Sequence, residues 1–210
     1  MLLRRGAEAE LHLDSWYGMN VVIKKRVEKR YRIRELDDEI RSYRTAHESL
    51  MMHRAKECGV PTPSIFMVDL IKKTIVMEFI QGERLKDVLD SLPDENRRET
   101  LTEVGRLIGL MHRKNIIHGD LTTSNIILTE GKKVYFIDFG LSESSDEVEK
   151  MGVDLHLMKR ALQSTHHTHS EKYFAEVLEG YSKVVGRERT ERILSKIIEI
   201  ERRGRYVTQR

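Results

Sequence analysis

Cysteine is nearly missing from this chain: Cys58 is the only one in 210 residues. That excludes an internal disulfide and a cysteine-built metal centre, and it suits a reducing cytoplasm. Proline is scarce too, at three, whereas Lys, Arg and Glu are abundant, and that abundance suits a heat-adapted chain. Long apolar runs are lacking; the longest, such as residues 107–111, are far too short to cross a bilayer. The opening Met1-Leu2-Leu3-Arg4-Arg5 has neither the extended apolar segment nor the cleavage site of a secretory signal. A cytoplasmic protein without membrane association is expected. No internal repeat or low-complexity tract stands out. Charge of one sign is limited as well, and a formal net charge of +3 does not by itself predict nucleic-acid binding.

What is present suits a folded core. Hydrophobic residues make up 39% and charged residues 34%, which predicts helices solvated on one face. The length allows one domain, or two small lobes sharing a cleft. Positive charge gathers at residues 24–34 and again at Arg202, Arg203, Arg205 and Arg210, where a solvated face competes with a binding role. Residues 11–13 and 20–24 read as strands around a Tyr17-Gly18 turn. A charged helix follows from Leu36 to about Glu57, ending at Gly59 before Pro61 and Pro63. Residues 64–69 and 74–79 read as strands around Lys72-Lys73. Beyond Gly82 the pattern turns helical, over 85–91, 97–114, 154–162, 172–180 and 189–203, with strand candidates at 125–128 and 133–137 flanking Gly131. The expected plan is α+β and bilobal: a small β-rich N-lobe over residues 1–80, a crossover near 80–82, and a reduced helical C-lobe over 81–210 with a basic tail.

The strongest chemical signal is His118-Gly119-Asp120-Leu121-Thr122-Thr123-Ser124-Asn125, with Asp138-Phe139-Gly140 beginning thirteen residues after Asn125. Gly, Asp, Asn and Thr also populate ordinary turns, which is the competing explanation. The order and spacing nevertheless suit phosphoryl transfer, which needs a positioned nucleophile and neutralised phosphate charge more than covalent work from the protein. Asp120 would orient the attacking hydroxyl or water, or accept its proton. Asn125 and Asp138 would offer Mg²⁺ the oxygen ligands it prefers.

These segments resemble the protein-kinase catalytic loop and metal motif. The resemblance implies a nucleotide site for ATP with Mg²⁺. Val21-Val22-Ile23-Lys24 matches the strand-borne lysine that contacts the α- and β-phosphates, with Lys25 as runner-up on the opposite strand face. Glu48 falls where the kinase helix glutamate stands, and Glu39 is its weaker competitor. The glycine-rich loop is degraded: only Gly6 survives in Arg4-Arg5-Gly6-Ala7-Glu8-Ala9, so Gly6, Ala7, Glu8 and Ala9 should form a stiffer phosphate loop. The hinge implied is Met77-Glu78-Phe79-Ile80, with backbone groups of Glu78 and Ile80 meeting the adenine edge and Ile127 as the apolar floor.

Departures narrow the resemblance. Gly119 stands where most regulated kinases carry Arg, so no cation there can hold a phosphorylated loop. Thr122 replaces a lysine usual in Ser/Thr kinases. No Ala-Pro-Glu follows Gly140, and a helix begins near Val153-Asp154, leaving little platform for an extended peptide. Asp154 is a candidate brace beneath the catalytic loop, with a plain helix N-terminal charge as the alternative.

End to end, the chain resembles the small atypical kinase family of the KEOPS complex, also called the PRPK family. The match runs through Gly6-Ala7-Glu8-Ala9, Val22-Ile23-Lys24, Tyr31-Arg32, Leu36-Asp37, Arg44-Thr45 with Glu48, and Gly59-Val60-Pro61-Thr62-Pro63. It continues through Met77-Glu78, the catalytic loop, Val153-Asp154-Leu155 and Ser164-Thr165-His166; Ser49, where the family has Ala, is a small departure. The resemblance implies a partner-dependent ATPase and Ser/Thr kinase in threonylcarbamoyladenosine modification of tRNA. It would dock on the threonylcarbamoyl-transferase subunit, with a small regulatory subunit on the N-lobe and tRNA reached through the complex.

Three rivals stand beside this reading. An aminoglycoside- or choline-type phosphotransferase shares His-Gly-Asp but usually has a larger acceptor region. RIO-type kinases share the small catalytic lobe yet fit residues 44–48 and the tail less well. A scaffold that binds ATP without turnover is disfavoured because every base and metal residue is present. The His166-His167-His169 group reads as an exposed polar helix terminus, with no nearby carboxylate constellation to complete a metal site. Residues 202–210, with Gly204 breaking the final helix, read as a mobile basic arm for phosphate or an acidic rim.

Overall fold

The Tyr17-Gly18 turn sets the register of the first lobe. Both residues adopt positive φ, 49° and 79°, the backbone that a two-residue hairpin of right-handed twist requires. The computed structural model describes the backbone of residues 1–207 and the side chains of residues 1–202. Strands β1 (Leu2–Arg5), β2 (Ala9–Trp16) and β3 (Met19–Arg26) pair antiparallel in chain order, β2 and β3 running from Trp16↔Met19 to Ala9↔Arg26. Helix α1 (Arg34–Glu57) then crosses, and β4 (Ile65–Asp69) and β5 (Thr74–Glu78) complete a sheet of order β1-β2-β3-β5-β4.

Helix α1 begins at Arg34, two residues before Leu36, and has no side-chain N-cap. Asp37 does the fastening instead. Fully buried, it accepts bonds from the Lys29 amide, Arg32 Nη1 and Arg41 Nε, the last at 2.7 Å. Burial would raise its carboxyl, but the bond from Arg41 and its companions hold it below the usual range.

The second lobe opens with β6 (Glu83–Arg84), α2 (Leu85–Val88) and a 3-10 turn at Leu89–Ser91, followed by α3 (Asp94–Arg113). Short strands β7 (Ile116–Ile117), β8 (Ile126–Leu128), β9 (Val134–Phe136) and β10 (Glu143–Ser144) carry the loops, and α4 (Val148–Thr165), α5 (Ser170–Val185) and α6 (Arg187–Val207) finish the chain. Strands β6, β8 and β9 form one small sheet, β7 and β10 another. The predicted helices are all present, most of them longer than expected. Strands β1, β6, β7 and β10 were not expected, because short exposed or two-residue strands carry no alternation to read. Gly204 does not break the last helix: α6 runs on to Val207. The basic tail beyond Arg202 otherwise lies outside the described side chains.

Helices α3 and α5 cross backbone to backbone. A Cβ on Gly105 would sit 1.8 Å from the Val177 carbonyl, and one on Gly180 would sit 1.8 Å from the Thr102 carbonyl. Glycine at both points lets Leu101, Val104, Ile108, Val177 and Tyr181 reach full burial. Gly180→Ala should therefore cost about 3 kcal/mol, at the upper end of ordinary overpacking. For a chain of this length that is a fall in melting temperature of roughly 6–12 °C, read by thermal circular dichroism.

Candidate active site

Strand alternation turns Lys24 and Arg26 inward, 8% and 5% exposed, and leaves Lys25 outside. Helix α1 brings Glu48, 1% exposed, against both. Lys24 Nζ donates to Glu48 Oε1 at 2.5 Å and to Asp138 Oδ1 at 2.7 Å, while Arg26 Nη2 donates to Glu48 Oε2 at 2.6 Å. Two cations thus balance two carboxylates: Lys24, Arg26 and Glu48 are nearly dry, while the Asp138 side chain, 46% exposed, opens to the cleft. Burial would lower the Lys24 ammonium, but Glu48 and then Asp138 hold it above its usual value. Burial likewise works against ionised Asp138, and Lys24 holds its carboxyl below the usual range. Glu39 is exposed, and Glu48 takes the lysine.

Asp154 of α4 is the brace under the loop of residues 118–125. Fully buried, it accepts from the His118 amide at 2.6 Å and the Gly119 amide at 2.8 Å, with His112 Nε2 at 3.3 Å. With its proton on Nε2, His112 accepts from the Tyr181 hydroxyl at Nδ1, 2.9 Å away, which ties α3 and α5 to the same carboxylate. Burial pushes the His118 imidazole below its usual value, so its ring packs uncharged on Phe139 at 4.6 Å between centroids. Asn125 Nδ2 donates to the Asp120 carbonyl at 2.9 Å and to Asp120 Oδ2 at 2.8 Å. That aims Asp120 and leaves Asn125 Oδ1 as a spare acceptor. Asp138 has φ 63°, a left-handed conformation that costs a non-glycine residue about 1 kcal/mol.

Gly119 has a physical reason to be glycine. Its φ is +79°, and a Cβ there would lie 2.1 Å from the Leu141 carbonyl. The segment after Asp138-Phe139-Gly140 lies directly on the catalytic loop, where a regulated kinase would need room for arginine.

Two neighbouring hollows share Lys24, Asn125 and Asp138. One of about 310 Å³ is lined by Val22, Met77, Glu78, Ile80 and Ile127. The other, about 430 Å³, is lined by Gly6, Ala7, Glu8, Ala9 and Asp120, together with Arg4, Arg26 and Arg44. The sequence-predicted residues therefore meet in one cleft. One detail of the hinge differs: the Glu78 amide is committed to the Ser64 carbonyl at 2.8 Å, so it is not free for a ligand. The Ile80 amide has no backbone bond among the described residues.

Sequence reasoning missed Arg26 and Arg44. Arg26 was legible as the next inward position after Lys24; Arg44 sits one helical turn before Glu48 and pairs with Glu8. Lys29 Nζ also donates to the Ala7 carbonyl, so two cations strap the β1–β2 turn that Gly6 closes onto the Ala9 carbonyl at 2.9 Å. The histidine group does lie at helix termini, His166 closing α4 and His169 preceding α5, but His166 is buried rather than exposed: it meets Asp90 at 2.7 Å, and Asp90 also accepts from Tyr173. Among the described residues no cluster of three such side chains could hold a metal.

This layout of lysine, helix glutamate, catalytic loop and following aspartate is that of a kinase-like phosphotransfer cleft. The chain belongs to the RIO domain family, which matches residues 19–174. It is 51% identical to KEOPS complex subunit Bud32 of Pyrococcus abyssi (strain GE5 / Orsay), over 98% of this chain and 96% of that protein. It is 41% identical to a probable serine/threonine-protein kinase BUD32 homolog of Archaeoglobus fulgidus, over 96% of this chain and 94% of that one. A probable bifunctional tRNA threonylcarbamoyladenosine biosynthesis protein of Methanothermobacter thermautotrophicus is 44% identical over 98% of this chain, which spans 36% of that longer protein. The Rio2 kinase from Chaetomium thermophilum superposes with a TM-score of 0.62, 17% identity and 96% of this chain covered against 71% of that one, a likeness of fold. The expected contrast with RIO-type kinases thus dissolves, since this chain itself carries the RIO domain.

Asp154 makes the site sensitive to acid. Burial works against its ionised form, but the bond from His112 and the His118 amide hold its carboxyl below the usual range. A depressed carboxylate contributes stability above its unfolded pKa, near pH 4, and loses it as pH falls through the folded value. Asp154→Asn should cost about 3 kcal/mol at pH 7 and should shrink the gap to wild type near pH 3. Urea midpoints at the two pH values check this; a gap that widens in acid would contradict it.

Proposed function

We propose that this chain is an ATP- and Mg²⁺-dependent phosphotransferase and ATPase of the atypical Ser/Thr kinase class, acting as a KEOPS complex subunit in threonylcarbamoyladenosine modification of tRNA. The observation that carries the chemistry is the double engagement of Lys24, with Glu48 on one side and Asp138 on the other, above the Asp120–Asn125 pair. Lys24 would meet the α- and β-phosphates, held by Glu48. Gly6, Ala7, Glu8 and Ala9 would cover the phosphates, while Glu78, Ile80 and Ile127 would receive the adenine. Asp120, aimed by Asn125, would orient the attacking hydroxyl or water and take its proton.

The donor set fits Mg²⁺. Both bonds of the Asn125 side-chain amide leave from Nδ2, so its Oδ1 is spare among the described residues; Asn125 and Asp138 line the same hollows, and hard oxygens are what this ion prefers. When bound, Mg²⁺ neutralises charge on the transferring phosphate.

The relatives' names support the assembly. A bifunctional protein named for threonylcarbamoyladenosine biosynthesis, 36% of which this chain spans, supports a second subunit in the same modification. We assign that role to the threonylcarbamoyl-transferase subunit, with a small regulatory subunit on the N-lobe, residues 1–80, and tRNA reached through the complex. No helix among the described residues is long and apolar enough to cross a membrane, and we place the complex in the cytoplasm. Relatives named as complex subunits and tRNA-modification proteins leave the small-molecule phosphotransferase reading without support.

Asp120→Ala should lower ATP turnover by about a hundredfold or more while nucleotide affinity largely persists. Asp138→Asn should instead erase most of the Mg²⁺ dependence of ATP affinity. Steady-state hydrolysis and titrations with and without Mg²⁺ separate the two. Near-normal turnover by folded Asp120→Ala, or no turnover by wild type with its partner subunits, would sink the assignment.

A further inference from the structure

Arg26 is the cation that the phosphotransfer reading leaves without a role. It follows Lys24 by two residues on β3, faces the same cleft, and is as deeply buried. From one nitrogen, Nη2, it donates to Glu48 Oε2 at 2.6 Å and to the Arg44 carbonyl at 3.2 Å. Those acceptors lie four residues apart on α1, so the guanidinium stitches consecutive helical turns to the sheet. Its Nε is buried without a partner among the described residues, so the grip runs through that single end.

Glu48 is thereby shared, with Oε1 held by Lys24 and Oε2 by Arg26. Lys24 has a second attachment, to Asp138 Oδ1. A divalent cation held by Asp138 would compete with the ammonium for the same carboxylate and repel it. If Glu48 relied on Lys24 alone, any shift of the lysine would leave a buried carboxylate short of charge and loosen α1. Arginine stays charged at every physiological pH, which removes that dependence. The same stretch of α1 sends the Arg44 side chain to Glu8 on the β1–β2 turn, so what Arg26 holds also holds the phosphate loop.

We propose that Arg26 is a positioning residue: it fixes Glu48 and residues 44–48 of α1 against β3 independently of Lys24, leaving Lys24 free to exchange Asp138 for nucleotide phosphates. The proposal deepens, and rests on, the phosphotransfer reading above.

The test compares the full chain with Arg26→Met, Arg26→Lys and Lys24→Met by amide hydrogen exchange over residues 41–52, without nucleotide. Arg26→Met should speed exchange there by about tenfold or more, while Lys24→Met stays within about threefold of wild type. Arg26→Lys keeps a charge and needs only one donor atom, so it should recover most of the protection; it carries the comparison if Arg26→Met fails to fold. In steady-state hydrolysis, Arg26→Met should lower kcat by about tenfold with KM for Mg-ATP moving less than about threefold, since the adenine hollow and Lys24 remain. The opposite pattern, with Lys24→Met releasing α1 and Arg26→Met leaving it protected, overturns the proposal. So does release by both variants alike. A wild type that turns over no ATP defeats the phosphotransfer reading instead, and the exchange comparison still decides Arg26.

Discussion

Glu48 holds a charge where almost no water reaches it, and the first lobe is arranged around that fact. A buried carboxylate is tolerated only when paired and fully hydrogen-bonded, because desolvation otherwise outweighs any Coulomb gain. Both of its oxygens are taken by cations two residues apart on β3, which requires that strand to present alternate positions to the cleft and α1 to lie across them. Asp37, at the other end of the same helix, solves a second burial problem with Arg32, Arg41 and the Lys29 amide. The placement of α1 thus follows from two carboxylates that must find partners. Its amphipathic face adds packing through Met51, Met52 and Ala55.

The parts of this molecule that were legible from sequence are those encoded within one turn or one strand. Tyr17-Gly18 announced a hairpin, alternation along β3 put Lys24 inside and Lys25 outside, and the spacing of Asp120, Asn125 and Asp138 announced side chains that converge on one cleft. Contacts made across the chain left no such mark. The Asp90 carboxylate meets His166 across seventy-six residues, and nothing near either residue foretold it. Arg26 was visible as a basic residue, but only the arrival of α1 shows that it shares Glu48. Gly119 was read as a missing arginine; the structure supplies the reason, since the Leu141 carbonyl occupies the space where any side chain would begin.

Gly119 also explains how the second lobe can be so small. The chain runs from Gly140 to α4 in a few residues, pairing β10 with β7 instead of building a platform for an extended peptide. Laying that short segment on the catalytic loop requires glycine at 119 in a left-handed conformation. Asp138 adopts another such conformation nearby, at a cost that the contact with Lys24 helps to offset.

Strain of this kind persists only where the surroundings over-determine the backbone, and here the determining group is Asp154. One carboxylate fixes two consecutive amides of the loop and, through His112 and Tyr181, binds α4 to both helices of the close α3–α5 crossing. Helix α4 is itself pinned from the far side, where Gly152 lies so near α6 that a Cβ would come within 3.3 Å of Lys196. The loop that carries Asp120 and Asn125 is therefore positioned by the packing of the whole helical lobe. Loosening α6 would be felt at Asp120 through α4, although no described side chain of α6 lines the cleft.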